Sequence, residues 1–155
     1  MAGELPVRKN IRLKHYDYKE DGYYFVTICT DFKQPLLTYS KIKNIVVAEL
    51  ALLKEQFSGL EIDCSVIMPN HVHIIFILKD LDKTLSQIVQ AFKSITTIKA
   101  KQALPLQIGK RLWQPNYFEH IIRNENTLAK IREYIQNNPD ALKIKFEEFY
   151  KQRVQ

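Results

Sequence analysis

Two short apolar runs separated by a proline–asparagine pair constrain the centre of this chain more than any other feature. Residues 61–68 (EIDCSVIM) and 71–78 (HVHIIFIL) each have the length and β-branched content of a strand, and Pro69-Asn70 between them is a turn signal. Strands joined by so short a turn lie side by side and pair antiparallel. Along the second run the side chains alternate between two faces. Val72, Ile74, Phe76 and Leu78 form a wholly apolar set, and His71, His73, Ile75 and Ile77 form the other. The apolar set has to be covered by helices, which puts both histidines on the opposite side of the sheet, expected to be the more open one.

The flanking sequence supplies the remaining elements. Tyr23 to Thr30 is aromatic and β-branched and reads as a first strand after Gly22. Leu36 to Thr38 reads as a short edge strand. Ser40 is placed to cap a helix running to about Phe57, with Ile42, Ile45, Val46, Leu50 and Leu53 at helical spacing and Gly59 as its stop. A second helix is expected from about Leu81 to Gln102, with Leu85, Ile88, Val89, Phe92 and Ile95 as its buried stripe. Tyr117 to Arg123 reads as a fourth strand. Asn124 or Asn126 caps a third helix that Pro139 ends, and an amphipathic piece follows from Leu142 to Lys151. The order β, α, β, β, α, β, α is the split βαβ, ferredoxin-like pattern of an α+β protein, with helices on one face of an antiparallel sheet and an added C-terminal helix. The 155 residues suit one domain, with residues 1–20 as a basic arm and 140–155 as a helical tail.

Composition narrows the class further. No run of about 18 apolar residues exists, so no membrane partner is expected. The first residues lack the apolar core of a secretory signal. Cys29 and Cys64 fall inside strands and read as small buried hydrophobes of a reduced, cytoplasmic protein. The net charge is +6, and residues 90–135 alone carry +5 of it. Lys93, Lys99, Lys101, Lys110 and Arg111 in that stretch are candidates for phosphate contacts, and Trp113 or Tyr117 for stacking on an unpaired base. Arg8, Lys9, Arg12 and Lys14 add to the basic character of the arm.

Two imidazoles at i and i+2 on a strand can hold one divalent ion, since neutral imidazole is the commonest protein metal ligand. The competing reading is a pair of partly exposed polar residues. The sequence offers no cysteine pair, His-Glu-x-x-His or carboxylate cluster to complete a zinc site, and two histidines with oxygen ligands suit Mg²⁺ or Mn²⁺ acting on phosphate. On the third helix, Leu128, Ile131 and Ile135 form the apolar stripe, with Tyr134 at its edge and Asn138 one turn on. Tyr134 reads either as a boundary tyrosine or as a nucleophile. Asn138 reads either as a helix-end residue before Pro139 or as an oxygen ligand.

Taken in order, Pro69-Asn70-His71-Val72-His73, Trp113-Gln114-Pro115, Phe118-Glu119-His120-Ile121-Ile122-Arg123-Asn124 and Tyr134-Ile135-Gln136-Asn137-Asn138-Pro139 resemble the Y1 transposases of the IS200/IS605 type, in particular the REP-associated tyrosine transposases. Arg12-Leu13, Tyr16-Asp17-Tyr18 and Gly22-Tyr23-Tyr24-Phe25-Val26-Thr27 are similar to the start of that group, so the resemblance spans about residues 8–140. It implies a ferredoxin-like fold and metal-dependent cleavage and rejoining of single-stranded or hairpin DNA through a 5′-phosphotyrosine. By the same resemblance, His71, His73 and Asn138 would be the metal ligands and Tyr134 the nucleophile, with the protein acting as a monomer or a homodimer. The alternatives are a non-catalytic module of the same fold that binds hairpin DNA, and an RNA-binding ferredoxin-like domain. The latter lacks a convincing aromatic strand motif here.

Overall fold

A computed structural model describes residues 21–137. The basic arm, Asn138 and the expected tail helix lie outside the described residues. The elements are β1 (Gly22–Cys29), α1 (Ser40–Gln56), β2 (Leu60–Met68), β3 (His71–Leu78), α2 (Leu85–Ala103), β4 (Phe118–Ile122) and α3 (Glu125–Gln136). The four strands form one antiparallel sheet in the order β2-β3-β1-β4. That order follows from the sequence: β2 and β3 are tied by their turn, and each helical crossover must step over a strand.

The sheet has two covered faces. Tyr24, Val26 and Ile28 of β1 and Val72, Ile74 and Phe76 of β3 point to one side, where α1 and α2 close the larger core with Ile42, Val46, Leu50, Ile88, Val89 and Phe92. Phe25 and Ile75 point to the other side, into a smaller cluster with Ile122 and the α3 residues Ile131, Tyr134 and Ile135. The alternation on β3 is therefore as expected, but the histidine side is not the open one. His73 has no solvent exposure. The apolar stripe of α3 needs a surface to bury, and the Phe25–Ile75 face supplies it.

Local chemistry explains where the observed boundaries differ from the expected ones. Leu36–Thr38 is a 3₁₀ turn rather than an edge strand, because the Thr38 amide and hydroxyl both curl back to the Pro35 carbonyl at 3.3 and 2.6 Å. Tyr39, not Ser40, occupies the N-cap of α1, and its side chain makes no capping bond. The second helix starts at Leu85 because Thr84 and Gln87 form a reciprocal capping box. Asn124 caps α3 as expected, accepting from the Thr127 amide at 2.8 Å. Gly59 has φ +95°, and a Cβ there would collide with the Lys79 carbonyl, so the entry to β2 requires glycine.

Candidate active site

The turn Pro69-Asn70 delivers His71 at the first residue of β3, and His73 follows on the same face with its ring centroid 4.6 Å away. Which ring nitrogen carries the proton is decided by the neighbours of each. The His71 Nδ1–H donates to Asn70 Oδ1 at 2.7 Å, and the Asn70 amide is itself oriented by donating to the Lys33 carbonyl at 3.2 Å. An amide oxygen only accepts, so the proton of neutral His71 sits on Nδ1 and its lone pair on Nε2. His73 Nδ1 lies 2.9 Å from the Thr27 hydroxyl of β1, its cross-strand partner in the register. With the His73 proton on Nδ1, Thr27 accepts and Nε2 again carries the lone pair.

That lone pair points at the third helix. The Tyr134 hydroxyl lies 3.3 Å from His73 Nε2, with the two rings edge to face at 5.3 Å. Tyr134 is nearly buried, and its ring is held with Ile131 and Ile135 against Phe25 and Ile75. A second anchor fixes the helix: Arg132 forms a fork-to-fork ion pair with Asp63 on β2 at 2.8 and 2.7 Å. Asp63 sits at a register shift between Ile62 and Cys64, an extra residue in the strand. The Arg132 hydrogen bonds hold the Asp63 carboxyl below its ordinary range. Lys130 and Arg132, on the same helix as Tyr134, are cations of a kind that lowers a phenol pKa when it stands beside the hydroxyl. Arg132 is instead committed to Asp63 and Lys130 is exposed.

Burial, and then the charge on His71, push the His73 pKa well below its usual value. At neutral pH this imidazole is uncharged, the form a metal ligand requires. Among the described residues no three His, Cys, Asp or Glu side chains cluster together. Two imidazole nitrogens without a third such side chain among the described residues would suit a six-coordinate divalent ion better than a closed zinc site. Thr27 and Asn70 were not singled out from the sequence. Asn70 adjoins His71 and was available as a signal, whereas Thr27 meets His73 only through the register of β1 with β3.

The expected DNA-contacting residues divide. Trp113 is buried in the larger core, its indole N–H donating to Thr96 at 2.8 Å and its ring 5.7 Å from Phe92. Tyr117 is buried in the same core. Neither presents a face for stacking, because both rings are buried, that of Trp113 against α2. Lys93 is likewise inside, donating to the Gln114 and Pro115 carbonyls at 2.6 and 3.1 Å. Burial and nearby Arg111 bring its pKa down to about 8. Lys99 bonds Glu49 of α1 at 2.6 Å. Lys101, Lys110 and Arg111 are exposed, Arg111 standing 3.6 Å from Asp31.

Residues 18–138 match the family model for IS200-like transposases. The chain belongs to the IS200-like transposase family. Within known proteins it is 35% identical over 161 residues to an uncharacterized Haemophilus influenzae protein, covering 85% of this chain and 88% of the relative. It is 27% identical over 128 residues to the REP-associated tyrosine transposase of Escherichia coli, covering 81% and 70%. A solved REP-associated tyrosine transposase bound to a REP hairpin superposes with a TM-score of 0.64 at 26% identity, covering 84% of this chain and 74% of that one. A candidate transposase from Deinococcus radiodurans superposes with a TM-score of 0.53 at 23% identity, covering 81% of this chain and 95% of that one, and bears on the fold alone. The transposase family and the ferredoxin-like fold thus agree with the expectation drawn from the motifs.

Proposed function

We propose that this transposase cleaves and rejoins single-stranded DNA beside a hairpin, with Tyr134 as nucleophile and His71 and His73 as ligands of a divalent ion, Mg²⁺ or Mn²⁺. The observation that carries the reading is the 3.3 Å approach of the Tyr134 hydroxyl to His73 Nε2 within one chain. Asn138, outside the described residues, is the proposed third ligand. When bound, such an ion supplies the positive charge that offsets the phosphate and favours the phenolate. The hairpin substrate is proposed from the REP hairpin in the related structure. The exposed Lys101, Lys110 and Arg111 are proposed to contact its phosphates.

The chain's own groups account for the rest. Asn70 and Thr27 hold the two imidazoles so that both Nε2 atoms are presented. Burial keeps His73 from holding a proton near neutrality, so it serves as a ligand rather than as a general base. The Tyr134 phenol loses its proton to solvent, its oxygen attacks phosphorus, the bond from phosphorus to the 3′ oxygen breaks, and that oxygen takes a proton from solvent. The products are a 5′-phosphotyrosine and a free 3′-hydroxyl. A second 3′-hydroxyl reverses the step and joins strands, because the ester conserves the bond. The site is complete in its tyrosine and histidines within one chain, which supports action by a single protomer.

A labelled hairpin oligonucleotide with a single-stranded flank, incubated with Mn²⁺ and run on a denaturing gel, tests the proposal. The expected result is a covalent protein–DNA adduct that disappears for Tyr134→Phe. Retained DNA binding by the wild type with no adduct would favour a non-catalytic hairpin-binding module.

A further inference from the structure

The segment that follows β1 is built in a way the chemistry above does not use. Phe32 and Lys33 both have φ +54°, the left-handed region that non-glycine residues avoid. The conformation is locked by its surroundings. The Thr30 amide donates to the Asn70 carbonyl at 3.0 Å and the Asp31 amide to the Leu112 carbonyl at 2.9 Å. The Thr30 hydroxyl donates to the Gln34 carbonyl at 2.6 Å. The Asn70 amide closes the turn onto the Lys33 carbonyl. What this strained, braced turn displays is one aromatic ring: Phe32 is 82% exposed. Backbone strain held by so many bonds around an exposed apolar side chain points to a binding use.

The position of the ring says what it binds. Asn70 is the residue that both accepts from His71 Nδ1 and grips the carbonyl next to Phe32. The backbone of the turn that carries the ring is therefore linked through Asn70 to His71, a proposed metal ligand. Cations flank it: Lys33 follows in sequence and the exposed Arg111 lies against Asp31. A single flat apolar face on a turn that also carries Lys33 and meets Arg111 through Asp31 suits a nucleobase and its phosphates, and is too small to form the core of a protein interface. We infer that Phe32 stacks on an unpaired base of the single-stranded flank, next to the phosphate that Tyr134 attacks. This subsite deepens the proposed function and rests on it. It also supplies the exposed aromatic that Trp113 and Tyr117 do not.

The test is fluorescence anisotropy with a labelled hairpin carrying a single-stranded flank, and with the same oligonucleotide made abasic at one flank position at a time. Phe32→Ala is expected to weaken binding roughly tenfold and Phe32→Trp to preserve it. At one flank position an abasic site should weaken the wild type by a similar factor and leave Phe32→Ala no weaker, because both changes delete the same stack. Phe32→Gly should bind as poorly as Phe32→Ala while its Tm is equal to or above the wild type's, since glycine accepts the left-handed φ. That combination separates lost stacking from lost structure. Binding of Phe32→Ala within about twofold of the wild type, or losses that multiply at every abasic position, would overturn the inference and leave the proposed function standing. No binding of the hairpin by the wild type would overturn both.

Discussion

At the scale of single residues, the useful property of His73 is that it stays uncharged in a place where it cannot meet water. Its presence on one face with His71 was legible, because strand alternation is a two-residue rule. Its burial was not, because burial depends on which element lies over the face, and the local pattern of β3 carries no such information. Thr27 was hidden for the same reason: its contact with His73 is set by strand register. The buried neutral imidazole has a consequence for stability. In the unfolded chain His73 titrates near its ordinary value of about 6.5. In the folded chain, burial holds the pKa well below that. As pH falls through about 6.5 the unfolded state gains a proton that the folded state refuses, so stability is complete above that pH and declines below it. One such proton contributes a slope of up to about 1.4 kcal/mol per pH unit. Urea unfolding of the metal-free protein between pH 7 and pH 5 should show His73→Gln losing less stability than the wild type. Parallel declines in the two proteins would mean that His73 charges freely in the fold.

At the scale of elements, α3 carries the proposed nucleophile, and two independent contacts fix its position. One is its apolar stripe, which was legible from the spacing of Leu128, Ile131 and Ile135. The other is the Arg132–Asp63 pair, which depends on an irregularity in β2 that shifts the register between Ile62 and Cys64. An extra residue in a strand leaves no clear trace in an alternating pattern, and Asp63 read simply as a polar residue of that strand. The same limit affected α2. Its stripe was legible, but the packing of Trp113 on α2 and the bonds from Lys93 to the loop before β4 depend on a connection without periodicity. Because Arg132 is partly exposed, deleting its fork should cost little stability, on the order of 1 kcal/mol. Its effect on chemistry should be larger, since Tyr134 is two residues away and in the proposed reaction must meet a phosphate within a few tenths of an ångström. Arg132→Met is therefore expected to lower Tm by only a few degrees, while adduct formation slows several-fold or more. An unchanged rate of adduct formation would show that the stripe alone positions the helix.

At the scale of the whole molecule, the question is whether one chain holds a working site. The ferredoxin-like order brings the start of β3 and the face of α3 together although 61 residues separate His73 from Tyr134. Both belong to the same chain, and the connection from β4 into α3 is a capped turn at Asn124 rather than a long linker. A helix entered through so short a connection, and anchored by Arg132, has little freedom to leave its own sheet for that of a second copy. Mixing two inactive variants checks this. His71→Ala/His73→Ala keeps Tyr134, and Tyr134→Phe keeps both histidines. If the tyrosine works beside the histidines of its own chain, the mixture should form no adduct at any ratio, because no arrangement of the two chains contains a complete site. If the helix is exchanged between two copies, some mixed dimers hold one intact composite site, and the mixture should recover a substantial fraction of wild-type adduct. Recovery in that assay would therefore show that the 3.3 Å contact is replaced by an equivalent one across a dimer during the reaction.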